Sequence, residues 1–354
     1  MNTKSTSKQF SRRQFITATS LAAVAAPTIL SSRVFGADVP APSERVVMGI
    51  IGCGWQGTGN MQSFLNHKNC QVVAVCDLDK EHLANAEQIV NGHYKNQDCK
   101  TYHDYREMLA RKDIDAVMIA TPDHWHALTV IEAAKQGKDI YGEKPLARTI
   151  AEQQAMVRAV QGNKRIWQTG SWQRSEATFH YGAEIVRNGM IGKIKRVEVG
   201  LPSGHADFAK TKDKTAITEP PPELDYEFWC GPSKKLPYIE ARSHKNWRWN
   251  YNTGGGQLLD WIGHHGDIAH WGMDCDNSGP SEIEGQGDFP PKDAVWNTAT
   301  KYRITAKYPG DIEMVIAGGH SDIREGTKWI GTDGWVWVNR GKAFESSQSR
   351  KFPK

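Results

Sequence analysis

The chain has 354 residues, of which 24% are charged and 39% hydrophobic. This balance is typical of a globular protein with about two domains and excludes a disordered, collagen-like or coiled-coil chain. The first 37 residues hold five of the 44 basic side chains and no acidic one, which leaves 39 basic against 40 acidic side chains in the rest. The net charge of +4 therefore indicates no nucleic-acid partner, since no basic stripe remains to bind a phosphate backbone.

The N-terminus resembles a twin-arginine export signal. The motif Ser-Arg-Arg-Gln-Phe-Ile stands at residues 11–16. After its two arginines, residues 14–32 form an uncharged stretch that is rich in Ala, Thr and Ser. A membrane anchor is the alternative, but Pro27 and the many hydroxyl groups make this stretch weakly apolar for a span of about 20 residues. We therefore expect a signal peptide over residues 1–37, the export machinery as a partner, and a periplasmic or secreted protein with no stable membrane anchor.

A glycine turn follows the first predicted strand. Residues 46–51 form a continuous apolar run that indicates a strand buried on both faces of a parallel sheet. Gly-Cys-Gly-Trp-Gln-Gly follows at residues 52–57, and a second apolar run ends at Asp77, about 20 residues later. This spacing predicts a dinucleotide site, with a tight turn beside an exposed aspartate as the alternative. Because a carboxylate repels a 2′-phosphate, we predict NAD rather than NADP.

Strands and helices then alternate as in a doubly wound Rossmann sheet, which we expect over residues 38–170. Two polar segments follow predicted strands of this sheet, residues 121–126 and residues 143–145. They lie at the edge where ligands gather in such sheets. Asp123 suits a helix N-cap equally well, and the histidines of the first segment suit structural roles. The predicted cofactor contacts are Gly52, Gly54, Trp55, Gln56, Gly57, Asp77, Thr121, Pro122, His126, Glu143 and Lys144.

The second half, residues 171–354, is predicted to carry the substrate site. Apolar alternation near residues 193–201, 299–308 and 312–317 indicates an α/β domain with a largely antiparallel open sheet. Residues 202–237 contain three consecutive prolines and many charges, and they predict a long loop or arm rather than a core element.

A polar helix stripe follows a glycine run in this half. Asp260, His264 and Asp267 are spaced by four and three residues, so they share one face of a helix, which Trp271 continues. Burial of such groups is costly unless they pair or face a cavity, so we interpret the stripe as an active-site face. A solvated polar face is one alternative, and a metal site made of the same side chains is another, although no HxxxH or HExxH pattern is present.

In their shared order these motifs resemble the glucose–fructose oxidoreductase, inositol dehydrogenase and rhizopine-catabolism (Gfo/Idh/MocA) family, over roughly residues 45–340. The leader and the Trp-rich segment at residues 260–265 resemble a secreted bacterial subgroup. By this resemblance Lys144, Asp260 and His264 match the catalytic lysine, aspartate and histidine, and no metal is expected.

Each of the three catalytic candidates has a role that its chemistry suits. His264 takes the hydroxyl proton, Lys144 stabilises the developing alkoxide, and Asp260 orients the histidine or grips a neighbouring hydroxyl. Ile262 stands where a glycine is common in the family, and a second histidine follows at 265, which leaves open which histidine faces the substrate.

Tryptophans and polar side chains supply the candidate substrate contacts. The chain has 13 tryptophans, whose flat indoles suit the apolar faces of sugar rings. We expect two of Trp172, Trp247, Trp249 and Trp261 to contact a sugar. The further candidate substrate contacts are Gln173, Arg174 and His265, beside Trp172.

The predicted compartment constrains the reaction. Outside the cytoplasm no pool of free NAD reoxidises an enzyme, so we expect a sugar oxidoreductase whose tightly bound NAD is restored within the cycle. The alternatives are a retro-redox glycoside hydrolase or lyase, whose family members carry a Tyr-containing GNxYPTHG-type segment that this sequence lacks, and a non-catalytic sugar-binding protein.

Related chains usually continue well past residues 335–338, so we expect a shortened second domain, and the family's open sheet implies a homo-oligomer, a dimer or a tetramer.

Overall fold

The computed structural model describes residues 42–347, and its internal contacts divide the chain into two units, Met1–Arg45 and Val46–Lys354. The described part of the first unit contains a 3-10 turn, Pro42–Glu44. The predicted signal peptide, residues 1–37, lies outside the described residues. Within the described part of the chain, no helix is both long and apolar enough to cross a membrane.

Six parallel strands form the first sheet of the larger unit: β1 (Val46–Ile51), β2 (Cys70–Cys76), β3 (Lys100–Tyr102), β4 (Ala116–Ile119), β5 (Asp139–Gly142) and β6 (Trp167–Thr169). Their order across the sheet is β3-β2-β1-β4-β5-β6. The connecting helices are α1 (Trp55–Leu65), α2 (Lys80–Tyr94), α3 (Tyr105–Leu109), α4 (Asp123–Lys135) and α5 (Ile150–Gly162). This is the doubly wound sheet that the sequence predicts, and its winding reverses between β1 and β4, the point where such sheets bind ligands.

The apolar run of β1 is continuous because the strand is buried on both faces. Ile50 packs in one core with Met61 of α1, and Ile51 packs in a second core with Met108 of α3. Asp79 caps the start of α2 by accepting hydrogen bonds from two backbone N–H groups of its first turn. The sequence does not predict strand β3, because a strand of three largely exposed residues has no apolar run or alternation.

Seven strands form the second sheet: β7 (Ile194–Leu201), β8 (Glu282–Asp288), β9 (Lys301–Tyr308), β10 (Ile312–Gly318), β11 (Gly326–Gly331), β12 (Trp335–Asn339) and β13 (Ala343–Ser346). Their order is β13-β12-β11-β7-β10-β9-β8. Strands β7 and β10 pair in parallel, whereas the other neighbours are antiparallel. The sheet is therefore mixed: it is largely antiparallel, as the sequence predicts, but it contains the parallel pair of β7 and β10. The parallel pair arises because the long connection after β7 returns the chain to the same end of the sheet.

Two helices cover one face of the second sheet. They are α6 (Ala177–Arg187), which follows a 3-10 turn at Trp172–Ser175, and the 18-residue α8 (Gly256–Met273). Ile268 of α8 and Phe179 of α6 are fully buried in one core with Trp329 of β11. This packing fixes α8, so the polar residues of its N-terminal half are held in place by its apolar C-terminal half.

The segment between β7 and α8, residues 202–255, is here called the arm. It contains a short helix, α7 (Tyr226–Cys230), and 3-10 turns at Glu240–Arg242 and His244–Trp249. Its aromatic side chains form a small core of their own, which includes Tyr226 and Trp229. Residues 202–237 thus form the long loop or arm that the sequence predicts, and burial of its aromatic side chains orders part of it despite the prolines and charges.

Candidate active site

The glycine turn after β1 leaves its backbone open to a ligand. Gly52 has a φ of +87°, and a Cβ at this position would lie 2.6 Å from the carbonyl oxygen of Ala120. A Cβ at Gly57 would collide with the carbonyl oxygen of Gly52. Gly54 precedes α1 without a side-chain cap, so the first N–H groups of this helix are available to an anion. The turn therefore has the shape and the polarity that a pyrophosphate requires.

Asp77 lies directly after β2, next to this turn. Its Oδ2 accepts a hydrogen bond from the Cys53 N–H at 2.6 Å, and its Oδ1 accepts one from the Asp79 N–H at 2.9 Å. Burial raises the pKa of Asp77, whereas the nearby His82 and these two N–H groups act in the opposite direction. The two backbone bonds fix the carboxylate at the mouth of the turn, where ribose hydroxyls of a dinucleotide can donate to its remaining lone pairs.

One continuous cleft runs from the glycine turn and Asp77 to the ends of β4 and β5. It brings together most of the predicted cofactor contacts: Gly52, Gly54, Trp55, Gln56, Asp77, Thr121, Pro122, Glu143 and Lys144. Gly57 lies behind the turn and does not line the cleft.

His126 is the predicted cofactor contact that the structure assigns to another role. It is buried, and its two ring nitrogens lie 2.6 Å from the Pro145 carbonyl oxygen and 2.8 Å from the Thr121 carbonyl oxygen. The prediction of a cofactor contact is thus wrong for this side chain. Its imidazole ties together the two turns that carry Thr121 and Lys144.

Lys144 and Asp260 meet at the end of the cleft away from Asp77. The Lys144 ammonium donates to Asp260 Oδ1 and to the Asp260 carbonyl oxygen, each at 2.8 Å. Arg248 of the arm donates to the same Oδ1 at 3.2 Å. Burial alone would raise the pKa of Asp260, but the two cations hold it well below its ordinary value. Asp260 therefore stays ionised and positions the lysine, rather than orienting His264 as the sequence suggested.

His264 lies one helical turn beyond Asp260 and next to the lysine. Gly263 abuts Lys144, with a Cβ at Gly263 lying 3.2 Å from the Lys144 Cβ. The His264 ring is buried between the indoles of Trp172 and Trp261, with centroid distances of 6.1 and 5.6 Å. Burial, Lys144 and Arg340 lower the pKa of His264 to about 2. The imidazole is therefore neutral at physiological pH. Its buried Nδ1 has no hydrogen-bond partner among the described residues, so it is free to accept a hydrogen bond from a substrate hydroxyl.

The second half of the helix stripe has a structural role. Asp267 forms a bidentate ion pair with Arg174, at 2.8 Å for both bonds, and Asp276 also accepts from this guanidinium at 2.7 Å. Trp271 packs against the same guanidinium at 5.3 Å. The interpretation of the whole stripe as an active-site face is wrong for Asp267 and Trp271, which anchor the 3-10 turn before α6.

Three predicted substrate contacts are not available to a substrate. Arg174 is committed to Asp267 and Asp276. Gln173 is 1% exposed and donates from Nε2 towards the His265 ring, while its Oε1 accepts from Arg340 at 2.8 Å. His265 is 0% exposed. The structure thus gives Arg174 and Gln173 protein partners and buries His265, which assigns all three to supporting contacts, and His264 is the histidine beside the lysine.

The four tryptophans singled out by the sequence have different surroundings. Trp249 is fully buried, and its indole N–H donates to the Ala206 carbonyl oxygen at 2.7 Å. Trp247 lines the cleft and stacks with Arg248 at 4.4 Å. Trp172 is 40% exposed, and the Trp261 ring centroid lies 5.6 Å from that of His264. Trp172 and Trp261 are thus the two indoles beside the catalytic candidates.

Asp123 is a site residue that sequence reasoning did not separate from a helix cap. It begins α4, yet it caps nothing: the N-cap is Pro122, and no side-chain cap bond is formed. The side chain is 5% exposed and lines the cleft near Asp260. Burial raises its pKa to about 7, although Arg248 and Lys144 act in the opposite direction. The sequence signal for a site role was the position of Asp123, directly after the Thr-Pro pair that follows β4.

The rival metal site is not formed by the stripe. Asp260 is neutralised by two cations, which compete with any metal ion for its oxygens. Among the described residues, the cluster whose ligand atoms approach one another is Asp79, His82 and His244, within 4.8 Å. This cluster lies at the Asp77 end of the cleft and contains none of the residues in the predicted metal site.

Two family models match the chain over most of its length. Residues 46–171 match an oxidoreductase-family NAD-binding Rossmann domain, and residues 175–347 match the C-terminal α/β domain of the same Gfo/Idh/MocA family. The chain belongs to this family. Its first domain is an NAD-binding Rossmann domain, and the glycine turn, Asp77 and the length of the cleft fit that cofactor.

The chain is similar to proteins of several named activities. It is 32% identical over 206 residues to glycosyl hydrolase family 109 protein 2 of Shewanella sp. (strain ANA-3), covering 52% of this chain and 44% of that protein. It is 32% identical over 147 residues to inositol 2-dehydrogenase of Salmonella paratyphi B, covering 41% of this chain and 42% of that protein. The chain thus spans less than half the length of these curated relatives.

Solved structures share the fold. The WlbA dehydrogenase of Chromobacterium violaceum, in complex with NADH and UDP-GlcNAcA, superposes with a TM-score of 0.64 at 17% identity, covering 85% of this chain and 75% of that one. At this identity the likeness concerns the fold alone.

Replacing Gly57 tests the cofactor turn. Gly57→Ala introduces a methyl group into the Gly52 carbonyl, which distorts the turn, so we expect at least about a tenfold loss of bound NAD. Gly59→Ala, on the same helix with nothing within 4 Å, is the matched control and should keep its NAD. The measurement is NAD released per folded chain, with folding checked by circular dichroism. A Gly57→Ala protein with full NAD content would contradict the assignment of the turn.

Asp123 should make stability depend on pH. Its folded pKa of about 7 exceeds the unfolded value of about 3.9, so the folded state holds the extra proton between these values and loses stability as pH rises through them. Asp123→Asn removes this loss. We expect the stability difference between the variant and the parent to grow by about 1.4 kcal/mol per pH unit in this window and to level off above pH 7.

Urea unfolding at a series of pH values measures the Asp123 effect. The exposed Asp293, changed to Asn, is the control and should give a curve parallel to that of the parent. If the Asp123→Asn curve also ran parallel to the parent, Asp123 would not hold a proton at neutral pH.

Proposed function

We propose that this protein is an NAD-dependent oxidoreductase that acts on a hydroxyl group of a sugar or glycoside, with its cofactor restored within the catalytic cycle. The observation that carries this proposal is the ion pair of Lys144 and Asp260 at the end of the NAD cleft, with a neutral His264 beside it. A cation and a proton acceptor at this point suit the removal of a proton and a hydride from one carbinol group.

The roles follow from the charges of the side chains. Lys144 donates a hydrogen bond to the substrate hydroxyl and stabilises the negative charge that develops on its oxygen. His264 accepts the hydroxyl proton, and the carbinol carbon gives up a hydride as the carbonyl double bond forms. NAD, when bound, supplies the acceptor for that hydride. Asp260 holds the lysine in position, with Arg248 sharing the carboxylate.

The arm supports tight retention of the cofactor. Phe228, Trp247 and Arg248 of the arm line the cleft opposite the Rossmann sheet. Trp55, at the start of α1, contacts Phe208 of the arm at 5.5 Å and the Lys245 ammonium at 5.1 Å. A dinucleotide held between these surfaces has to displace arm contacts before it leaves, which favours a cofactor that stays bound between turnovers.

The relatives support a carbohydrate substrate, and they also support a second candidate reaction, the cleavage of a glycoside. One is named a glycosyl hydrolase and another an inositol dehydrogenase, so both the oxidised polyol and the cleaved glycoside are chemistries of similar proteins. In the second reaction, oxidation acidifies the neighbouring C–H bond, the glycosidic oxygen is eliminated, and the hydride returns. A non-catalytic sugar-binding protein is the third candidate. The Lys144–Asp260 ion pair disfavours it, because sugar binding alone does not require a cation positioned for catalysis.

Replacing Lys144 tests the proposed function. Lys144→Ala removes the cation from the reacting oxygen, and because Arg248 still neutralises Asp260, the fold is kept. We expect a decrease in turnover on the order of 10²-fold to 10³-fold with unchanged NAD content. Lys235→Ala, whose ammonium pairs with Glu227 at the surface, is the control. Turnover is measured with a panel of hexoses, hexuronates and p-nitrophenyl glycosides.

The products of the same panel distinguish the candidate reactions. A sugar oxidised while a second sugar is reduced, without free NADH, supports the oxidoreductase. Release of p-nitrophenol supports the hydrolase or lyase. Stoichiometric free NADH would contradict the closed cycle, and a Lys144→Ala protein as active as its parent would remove this lysine from the reaction.

Export belongs to the same proposal, because a closed cycle is most useful where free NAD is absent. The twin arginines at residues 12 and 13 support it. With Arg12→Lys and Arg13→Lys together, we expect the protein to remain in the cytoplasm, as followed by fractionation of a bacterium that has the twin-arginine machinery. Equal export of the two forms would exclude this route.

A further inference from the structure

Arg340 is a cation beside the proposed site that has no carboxylate partner among the described residues. It follows β12, and its guanidinium lies 4.2 Å from the Trp261 ring centroid and 4.7 Å from that of Trp172. These are the two indoles that flank His264. The guanidinium is therefore held next to the proton acceptor of the proposed reaction.

Three other cations near this end of the cleft have carboxylate partners. Lys144 and Arg248 share Asp260, and Arg174 is paired with Asp267 and Asp276. For Arg340, no carboxylate oxygen of the described residues lies within the 4.0 Å of an ion pair. The carboxylates that influence it from farther away are those of Glu325, Asp260 and Glu176.

The hydrogen bonds of Arg340 leave one edge of its guanidinium unused. Nε donates to Gln173 Oε1 at 2.8 Å, which fixes the plane of the group. Nη2 is buried and has no hydrogen-bond partner within the described part of the chain. Burying a charged donor without a partner is costly, and the Nη1–Nη2 edge has the fork geometry that binds a carboxylate through two parallel bonds.

We propose that Arg340 binds a carboxylate of the substrate, which makes the substrate a sugar acid such as a hexuronate or an aldonate. This inference rests on the proposed function, since it names the substrate class of the same site. The exposed part of the Trp172 indole contacts the apolar face of the sugar ring, and the adjacent guanidinium pairs with the carboxylate. A carboxylate carries the single charge that one guanidinium neutralises, whereas a phosphate dianion requires further cations.

The unpaired Arg340 also predicts that the site binds a neutral sugar less tightly than a sugar acid. An uncharged ring leaves the buried Nη2 without a hydrogen-bond partner. A site built for a polar group rejects an analogue that lacks it, because the buried donors are then left unsatisfied.

Binding of sugar acids to the NAD-containing protein tests this inference independently of turnover. Calorimetry with D-glucuronate, D-galacturonate and D-gluconate is compared with D-glucose, D-galactose and D-glucose 6-phosphate. We expect at least one sugar acid to bind about tenfold or more tightly than its neutral counterpart. In Arg340→Gln this ratio should fall to about one, whereas Arg340→Lys, which keeps the charge without the fork, should retain part of it.

Arg324→Gln is the matched control. This arginine also stacks on an indole, that of Trp337, but it pairs with Glu345 and lies outside the cleft. It should leave the sugar-acid preference unchanged, so a loss of preference in Arg340→Gln alone cannot be ascribed to the loss of an Arg–Trp contact.

The outcomes separate this inference from the proposed function. Equal affinity for acids and neutral sugars in the parent protein, a preference for the phosphate, or a preference that survives Arg340→Gln would overturn the inference. Oxidation of neutral sugars with a Lys144-dependent rate would at the same time leave the oxidoreductase intact. Conversely, an Arg340-dependent preference for acids in a protein that turns over nothing would support the inference and contradict the enzyme.

Discussion

A single buried carboxylate connects the parts of this site. Asp260 of α8 accepts from Lys144, which follows β5 of the Rossmann sheet, and from Arg248 of the arm. A lysine 116 residues away in the chain and an arginine 12 residues away thus converge on one anion. Taking these charges out of water is expensive, and the cost is offset only when every partner is in place. The geometry around the cofactor therefore depends on the correct packing of both domains and the arm together.

Much of the first domain could be predicted from the sequence because its signals are local. The turn at residues 52–57 and Asp77 are set by backbone sterics and spacing, and the strands before them are continuous apolar runs. The order of the strands and the contacts of His126 were not available in the same way. One ring nitrogen of that histidine faces the carbonyl oxygen of Thr121, five residues earlier, and the other faces that of Pro145, 19 residues later. No local pattern encodes this double contact.

The helix stripe shows where periodicity stops being informative. The spacing of Asp260, His264 and Asp267 correctly predicts one face of one helix, but seven residues also carry the chain about 10 Å along the helix axis. The cleft ends within that distance. Beyond it, Arg174 meets Asp267, and this contact depends on a turn more than 90 residues earlier in the sequence. Periodicity gives the direction of a side chain, whereas its partner is decided by tertiary packing.

The location of Arg340 has a consequence for how such a protein can diversify. This residue lies in the turn between β12 and β13, at the margin of the second sheet, whereas the lysine and the aspartate belong to the end of β5 and to α8. A hairpin turn tolerates exchange far better than a buried ion pair does. Mutation there can retune which molecules are accepted while the reaction centre is inherited unchanged, so recognition and chemistry can evolve at separate rates on one scaffold.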